Sequence, residues 1–182
     1  MIKVKSLINT LKNNNSNFFT GVPDSVLKEL SFELQSKSKK SHIIASNEGS
    51  AVSIGIGHYL STKKIPCIYM QNSGLSNALN PLISIAHPKV YAIPLILIIG
   101  WRGSPKIKDE PQHNVKGKIT EKLLKLLNIK YTIIRSYKDL KKFDKQIKNA
   151  KKNKSIVACL IEKDTLKKNN KKIYKKDFFK VN

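Results

Sequence analysis

Residues 42–71 read HIIASNEGSAVSIGIGHYLSTKKIPCIYMQ, and this stretch decides the fold class. Two short apolar runs, HIIA (42–45) and PCIYMQ (66–71), flank a longer segment of helical period at 48–61. Apolar strands that alternate with helices of this length are typical of a parallel sheet covered on both faces. The stretch therefore predicts a strand, a helix and a second strand of such a sheet.

The same alternation continues through most of the chain and predicts an α/β fold. We expect an open parallel sheet of about six strands with helices on both faces. The predicted strands are 18–22, 42–45, 66–71, 94–100, 131–135 and 155–161, and the predicted helices are 3–14, 24–35, 48–61, 73–87, 116–128 and 138–152. Residues 1–162 form one predicted domain, and the Lys/Asn-rich tail 163–182 is expected to be mostly exposed or mobile.

The chain is strongly basic, with 35 Lys and Arg against 12 Asp and Glu and a net charge of +23. Such a charge invites a nucleic-acid or membrane-surface interpretation. However, the only arginines are Arg102 and Arg135, whereas specific nucleic-acid sites favour the planar fork of arginine. Lys, Asn and Ile are enriched together, so we interpret most of the charge as a solvated surface and keep a polyanion role as the alternative.

The cysteines and the apolar segments indicate where the protein resides and whether it binds zinc. Cys67 and Cys159 sit in separate apolar runs without zinc-ligand spacing, and they do not suggest a disulfide framework. The N-terminal residues 1–15 lack a signal-peptide core, and the longest apolar run, 91–101, is too short to span a bilayer. We expect a cytoplasmic protein that does not enter a membrane.

Four polar segments fall at the carboxyl ends of predicted strands, where ligands collect in open parallel sheets. These segments are GVPDS (21–25), SNEGS (46–50), QNSGLSN (71–77) and GWRGSPKIKDEPQH (100–113). Each is rich in residues that loops use for special backbone angles and local hydrogen bonds. Because they converge on one edge of the sheet, they predict a site there.

Glu48 is the first candidate residue of that site. It opens a predicted helix after a buried strand, so Asn47 as a cap and Glu48 in the positive first turn would explain both residues without function. The helix is unusual, however, because Gly49, Gly55 and Gly57 each cost roughly 1 kcal/mol against Ala. Such a slim helix indicates close approach by another backbone or by a flat ligand.

The segment NEGSAVSIGIGHYL (47–60) resembles a segment of thiamine-diphosphate enzymes. In those enzymes, this segment contains the glutamate that pairs with the aminopyrimidine ring of the cofactor. In the same order, the other three segments resemble phosphonopyruvate decarboxylases and the similar sulfopyruvate decarboxylases, over roughly residues 4–161. The family usually has Gly where this chain has Ser76. The resemblance implies a thiamine-diphosphate-binding fold and the decarboxylation of an anionic 2-oxo acid.

The resemblance also implies roles for residues of the four segments. Glu48 would share a proton with a pyrimidine nitrogen, and the residues expected to line the cofactor with it are Gly21, Val22, Pro23, Gln71, Asn72 and Ser73. His113 and Asp24 would handle protons, because an imidazole titrates near neutral pH and the Asp24 loop borders the family's active site. The alternatives are helix capping for Asp24, strand-end capping for Asn72 and Ser73, and a surface loop for His113.

Arg102, together with Asn72 and His113, is expected to bind the substrate. A guanidinium grips a phosphonate or sulfonate with paired hydrogen bonds, and Lys106 and Lys108 are weaker candidates for the same anion. The alternative is an ordinary loop cation paired with Asp109 or Glu110. No metal ligand is expected on this chain.

A partner chain is implied by a motif that this sequence lacks. In the family a GDG sequence, followed by an Asn, builds the Mg²⁺ site for the diphosphate, and no GDG occurs in this chain. Sulfopyruvate decarboxylase is divided into two chains. We therefore expect a hetero-oligomer in which a diphosphate-binding, beta-type subunit supplies the Mg²⁺ ligands and meets this chain at the slim Glu48 helix.

Phosphonopyruvate is the preferred substrate, because KDEPQH (108–113) looks more like that branch of the family. Three alternatives stay open. They are a sulfopyruvate decarboxylase alpha subunit, a non-catalytic binding domain that kept the fold, and a basic protein associated with nucleic acid.

Overall fold

The computed structural model describes residues 1–105 and 107–167. Its strands are β1 Ile2–Lys3, β2 Phe19–Gly21, β3 His42–Ile44, β4 Cys67–Gln71, β5 Leu95–Gly100, β6 Lys130–Ile134, β7 Ile156–Ile161 and β8 Leu166–Lys167. Its α-helices are α1 Val4–Asn13, α2 Lys28–Gln35, α3 Glu48–Thr62, α4 Leu79–Pro81, α5 Pro111–Leu126 and α6 Tyr137–Lys152. A 3-10 turn at Asn72–Leu75 and a π turn at Leu82–Ala86 flank α4.

Six strands form one sheet in the order β3-β2-β4-β5-β7-β6, and every neighbouring pair is parallel. The central strands β5 (LILIIG) and β7 (IVACLI) are buried at every position, because helices cover both of their faces. The edge strands β3 and β6 keep exposed residues. The predicted α/β class and six-stranded parallel sheet are confirmed.

The core has two layers, one on each face of the sheet. In β5, Ile96 and Ile98 point into one layer, whereas Leu97 and Ile99 point into the other, as the two-residue period of a strand requires. The first layer is closed by α1, α2 and α6, and the second by α3, the 72–86 segment and α5. Each face therefore buries a continuous apolar surface.

Three of the predicted helices differ from the structure by more than two residues or are divided. Helix α2 begins at Lys28 rather than 24, because the Asp24 carboxylate binds the N–H groups of a tight turn before it. Helix α5 begins at Pro111 rather than 116, since proline is well suited to a first helical position. The predicted helix 73–87 is divided into the 3-10 turn, α4 and the π turn.

The fold continues past the domain boundary predicted at residue 162. Strand β8 pairs in parallel with β1, and Leu166 is buried beside them. The fold therefore includes residues 163–167, which the sequence analysis assigned to the tail. The rest of that tail, 168–182, lies outside the described residues.

The strand order creates a crevice between the carboxyl ends of β2 and β4. From β2 the chain moves outward to β3 and then returns to β4 on the other side of β2. Helix α2 consequently packs on one face of the sheet, while the segment after β4 packs on the opposite face. Such a switch point is where open α/β sheets bind ligands. Among the described helices, none is long and apolar enough to cross a membrane.

Candidate active site at the carboxyl edge of the sheet

Glu48 begins α3 and is half-buried. Asn47 caps the helix, because its side-chain oxygen accepts a hydrogen bond from Ser50 N at 2.9 Å. Oε2 of Glu48 accepts a hydrogen bond from Asn77 Nδ2 at 3.0 Å, and Gly74 lies directly against the carboxylate. The start of α3 and the turn after β4 therefore meet at the Glu48 carboxylate.

Asn72 connects the end of β4 to the end of β5. Its Oδ1 accepts a bond from Arg102 N at 3.1 Å, while Nδ2 donates to Arg102 O and to Thr120 Oγ1, both at 3.0 Å. The side chain is buried and both amide hydrogens are used within the protein. The Asn72 side chain therefore holds the backbone of two strand ends together, which agrees with the strand-end alternative of the sequence analysis, and a contact of Asn72 with cofactor or substrate stays a prediction. Gln71 and Ser73 are half-buried on either side of it.

Asp24 lies after β2 with its carboxyl group buried. Oδ2 accepts hydrogen bonds from Val26 N at 3.0 Å and Leu27 N at 3.1 Å, which is the capping arrangement that the sequence analysis kept as its alternative. Oδ1 is buried without a hydrogen-bond partner among the described residues. Burial raises the pKa of Asp24, although these amides and the Arg102 guanidinium oppose the rise. The raised pKa makes the protonated form of Asp24 more accessible than that of an exposed aspartate.

The loop before Asp24 runs against β4. Gly21 packs on Tyr69 so closely that a side chain would overlap it, and Val22 N donates to Tyr69 O at 3.1 Å. Pro23 is exposed at the surface of the loop. The backbone of residues 21–23 therefore lines the crevice between β2 and β4.

Arg102 is paired with Asp109, as the alternative interpretation of this residue anticipated. Nε and Nη2 donate to the two carboxylate oxygens at 2.7 and 2.6 Å, and Gly103 N donates to Oδ2 at 2.9 Å. The guanidinium holds the pKa of Asp109 well below its usual range. One carboxylate therefore organises the turn after β5. Lys108 is exposed, and Lys106 lies outside the described residues.

His113 lies in the first turn of α5 rather than in the predicted loop. Its Nδ1 is buried without a partner among the described residues, and its Nε2 is 3.8 Å from Glu110 Oε2. Its backbone carbonyl packs against Gly103, whose φ of +65° belongs to the region that favours glycine. The close approach of Gly103 to α5 therefore sets the position of the imidazole.

Arg135, the second of the two arginines in the sequence, supports the same loop from the other side. Its Nε and Nη2 donate to the buried carboxylate of Glu162 at 2.8 and 2.9 Å, and Ser104 Oγ donates to Glu162 Oε1 at 2.8 Å. Both arginines therefore make paired hydrogen bonds to a carboxylate that also binds residue 103 or 104. This use of the planar fork explains why arginine occurs there in a lysine-rich chain.

The four polar segments meet at the carboxyl edge as predicted, although the described hydrogen bonds and ion pairs do not join Glu48, Asp24 and His113 directly. Asn72 holds Arg102, Gly74 contacts Glu48, and Asp24 lies against Gly100. Sequence reasoning did not single out four residues that organise these contacts, which are Gly74, Asn77, Gly100 and Thr120. The described residues contain no group of three or more His, Cys, Asp or Glu side chains that could hold a metal ion.

A groove with a volume of about 690 Å³ runs beside the start of α3. Gly49, Ser50 and Ser53 form one wall, and the opposite wall comes from residues 77–85. Farther along the helix, Gly57 faces open space and Leu60 is exposed. The slim face of α3 is therefore uncovered in this chain.

Known proteins share this fold and sequence pattern. Residues 3–124 match the family model described as the N-terminal TPP binding domain of thiamine pyrophosphate enzymes. A solved thiamin diphosphate-dependent enzyme from Mycobacterium smegmatis superposes with a TM-score of 0.62 at 16% identity, covering 92% of this chain and 32% of that one. The solved structure supports the fold, and the family model extends the likeness to the sequence.

Two curated relatives are similar in sequence. Phosphonopyruvate decarboxylase of Streptomyces viridochromogenes is 40% identical over 114 residues, which are 63% of this chain and only 28% of that protein. Sulfopyruvate decarboxylase subunit alpha of Methanocaldococcus jannaschii is 36% identical over 124 residues, 68% of this chain and 71% of that subunit. Because the family model covers more than half of the sequence, the chain belongs to the thiamine pyrophosphate enzymes and carries their N-terminal TPP binding domain.

Proposed function

We propose that this chain is the alpha-type subunit of a thiamine-diphosphate-dependent decarboxylase that converts phosphonopyruvate to phosphonoacetaldehyde and CO₂. The observation that carries the proposal is the Glu48 carboxylate at the start of α3, flanked by Gly74 and hydrogen-bonded by Asn77. The relatives named above support the reaction class. Glu48, the buried oxygen of Asp24 and the buried nitrogen of His113 supply the acid–base groups.

The residues around Glu48 fit the aminopyrimidine ring of thiamine diphosphate. The carboxylate is half-buried, so it can share a proton with a ring nitrogen while remaining accessible, and Gly74 adds no side chain beside it. Gln71, Ser73 and the backbone of residues 21–23 would line the same crevice. When bound, thiamine diphosphate supplies the electron sink that accepts the electrons released as CO₂ leaves.

Asp24 and His113 are the proposed proton-handling groups. Each has one buried polar atom that makes no hydrogen bond among the described residues, Oδ1 of Asp24 and Nδ1 of His113. The raised pKa of Asp24 favours its protonated form, which can donate to a substrate oxygen. The His113 imidazole can supply the proton that replaces the departing carboxylate.

The proposed partner is a diphosphate-binding, beta-type subunit with a GDG motif and an Asn that together hold Mg²⁺. The uncovered face of α3 and its groove are the proposed contact surface, because a small-residue wall lets another backbone approach closely. The Methanocaldococcus jannaschii relative is itself a subunit alpha, which supports a hetero-oligomer. We expect this assembly in the cytoplasm.

Sulfopyruvate is the alternative substrate. It is favoured by the match to 71% of the Methanocaldococcus jannaschii subunit, whereas phosphonopyruvate is favoured by the higher identity to the Streptomyces viridochromogenes enzyme. Both substrates carry a tetrahedral acid group next to the reacting keto acid. A binding domain without catalysis would need neither Glu48 nor His113.

The test is to purify the chain with its partner and assay decarboxylation of both acids with thiamine diphosphate and Mg²⁺. Glu48→Gln should reduce turnover by roughly 10²–10⁴-fold. Among the described residues, the Glu48 side chain is hydrogen-bonded only by Asn77. The isolated Glu48→Gln chain should therefore unfold at nearly the wild-type temperature. The control is Glu121→Gln, which keeps an acceptor for Tyr131 OH. Normal turnover of Glu48→Gln would exclude this mechanism.

A further inference from the structure

A cavity with a volume of about 230 Å³ opens between the start of α2, the end of β5 and the segment before β8. Its polar lining consists of Ser25, Lys28, Glu29, Arg102, Lys163 and Asp164. We propose that this cavity binds the tetrahedral oxyanion of the substrate, the phosphonate or sulfonate group. The inference rests on the proposed function and assigns substrate specificity to Lys28 and Lys163.

Arg102 is the fixed part of this site. Asp109 binds the edge of the guanidinium formed by Nε and Nη2, while Nη1 makes no hydrogen bond to any described residue. The side chain is 22% exposed, so the group is partly shielded from water but can still be reached from the cavity. A guanidinium oriented in this way needs little reordering when it binds an oxyanion.

Lys28 and Lys163 add mobile charge from two different elements. Lys28 lies in the first turn of α2 and Lys163 follows β7, and both are exposed. Two carboxylates, Glu29 and Asp164, also line the cavity, and Glu29 is buried and has partners within the fold. Because Asp109 already balances the charge of Arg102, the added attraction for an anion comes from the two exposed lysines, and the Ser25 hydroxyl adds a donor suited to an anionic oxygen.

Two sets of contacts connect the lining of the cavity to the proposed reaction centre. Asn72 binds the backbone of Arg102, and two residues farther along the same turn Gly74 contacts Glu48. Ser25 follows Asp24, whose carboxyl group lies against Gly100 at the end of β5. A short 2-oxo acid could thus place its keto group near the crevice and its second acid group in the cavity.

The first experiment uses this chain alone and inorganic phosphate as the probe. Phosphorus NMR titration should show binding that the double variant Lys28→Gln/Lys163→Gln weakens at least tenfold. The matched control is Lys141→Gln/Lys145→Gln, which removes the same charge from the exposed face of α6 and should bind phosphate like wild type. If both double variants bound phosphate with equal affinity, the loss of binding would reflect only the lower net charge, and the proposal would be overturned.

The second experiment uses the complex with its partner subunit. Each single lysine variant should raise KM for phosphonopyruvate or sulfopyruvate about fivefold, the size expected of an exposed ion pair. KM for pyruvate, which lacks the second acid group, should not change. Phosphate should compete with the larger substrate.

The outcomes separate this inference from the proposed function. Decarboxylation with an unchanged KM in both lysine variants would retain the enzyme and reject the cavity. Phosphate binding without competition would also reject it, because the anion would then occupy a separate site. Site-specific phosphate binding by a chain whose complex decarboxylates neither acid would reject the proposed function while leaving an oxyanion site.

Discussion

Gly74 packs against the Glu48 carboxylate so tightly that a Cβ atom at position 74 would overlap it. The backbone at Gly74 is not in the left-handed region, so the demand for glycine is steric. It arises because the 3-10 turn after β4 passes directly over the first turn of α3. The glycine in QNSGLSN is therefore coupled to the glutamate in NEGS, 26 residues earlier in the sequence.

Gly74→Ala should displace Glu48 and reduce turnover of the complex by roughly 10²-fold or more, since a small misplacement of a positioned group is costly. The variant should also unfold at a lower temperature in thermal denaturation of the isolated chain. Ser76→Ala in the same turn is the control, because this exposed residue loses only a bond to Ser73 O. Full activity of Gly74→Ala would contradict a role for the Glu48 position in catalysis.

Asp24→Asn should increase the stability of the isolated chain at neutral pH while reducing turnover of the complex. Burial raises the folded-state pKa of Asp24 above its unfolded-state value, so the wild type loses stability as the pH rises between these two values. The amide of the variant can still accept the two backbone hydrogen bonds but carries no charge. Denaturant unfolding should therefore show a stability gain at pH 7 that shrinks in acid, where the wild-type carboxyl group is protonated. A gain that is equal at pH 3 and pH 7 would contradict the raised pKa.

Asp109→Asn should have the opposite pH signature. Arg102 lowers the pKa of Asp109, so its stabilisation is present above the unfolded-state pKa and is lost as the pH falls towards the folded-state pKa. The variant should lose about 1–2 kcal/mol at pH 7 and progressively less as the pH falls below that of the unfolded carboxyl. It should also raise KM for the anionic substrate, because Arg102 is no longer held in place.

Asp139→Asn is the control for that variant. Asp139 caps α6 by accepting hydrogen bonds from Ser136 Oγ, Arg135 N and Ser136 N, and the Ser136 hydroxyl, followed by these amides, lowers its pKa. Its loss should therefore reduce stability with a similar pH dependence but leave KM unchanged. A KM that responds equally to both variants would show a general effect of stability rather than of Arg102 orientation.

The sheet could be predicted from the sequence because its strands are short apolar runs between helical segments. Six of the eight strands follow this pattern, and β5 and β7 carry it without interruption. Strands β1 and β8 have two residues each, so they offer no periodicity from which a strand could be recognised. Their pairing depends on the tertiary fold.

The candidate site was predicted less completely than the sheet. Glu48, Asp24 and His113 were selected because they lie in the polar segments that resemble thiamine-diphosphate enzymes, and their catalytic roles stay predictions. A strand-end role for Asn72 was kept as an alternative, but its partners could not be predicted, because its three hydrogen bonds reach residues 30 and 48 positions away. The Arg102–Asp109 pair was foreseen as an alternative, but only the structure shows that Gly103 N binds the same carboxylate.

Truncation should reveal where the fold ends. A chain ending at Lys167 keeps β8, whereas one ending at Glu162 loses its pairing with β1 and the buried side chain of Leu166. The shorter form should be less stable by about 2–3 kcal/mol, from one buried leucine and the lost strand bonds. Denaturant unfolding of both forms measures this difference. Equal stability of the two truncated forms would show that β8 contributes nothing to the fold.

The form ending at Lys167 also tests the nucleic-acid alternative. If the Lys-rich tail bound nucleic acid, this form would lose salt-dependent DNA and RNA binding, whereas the enzyme proposal expects it to keep its turnover in the complex.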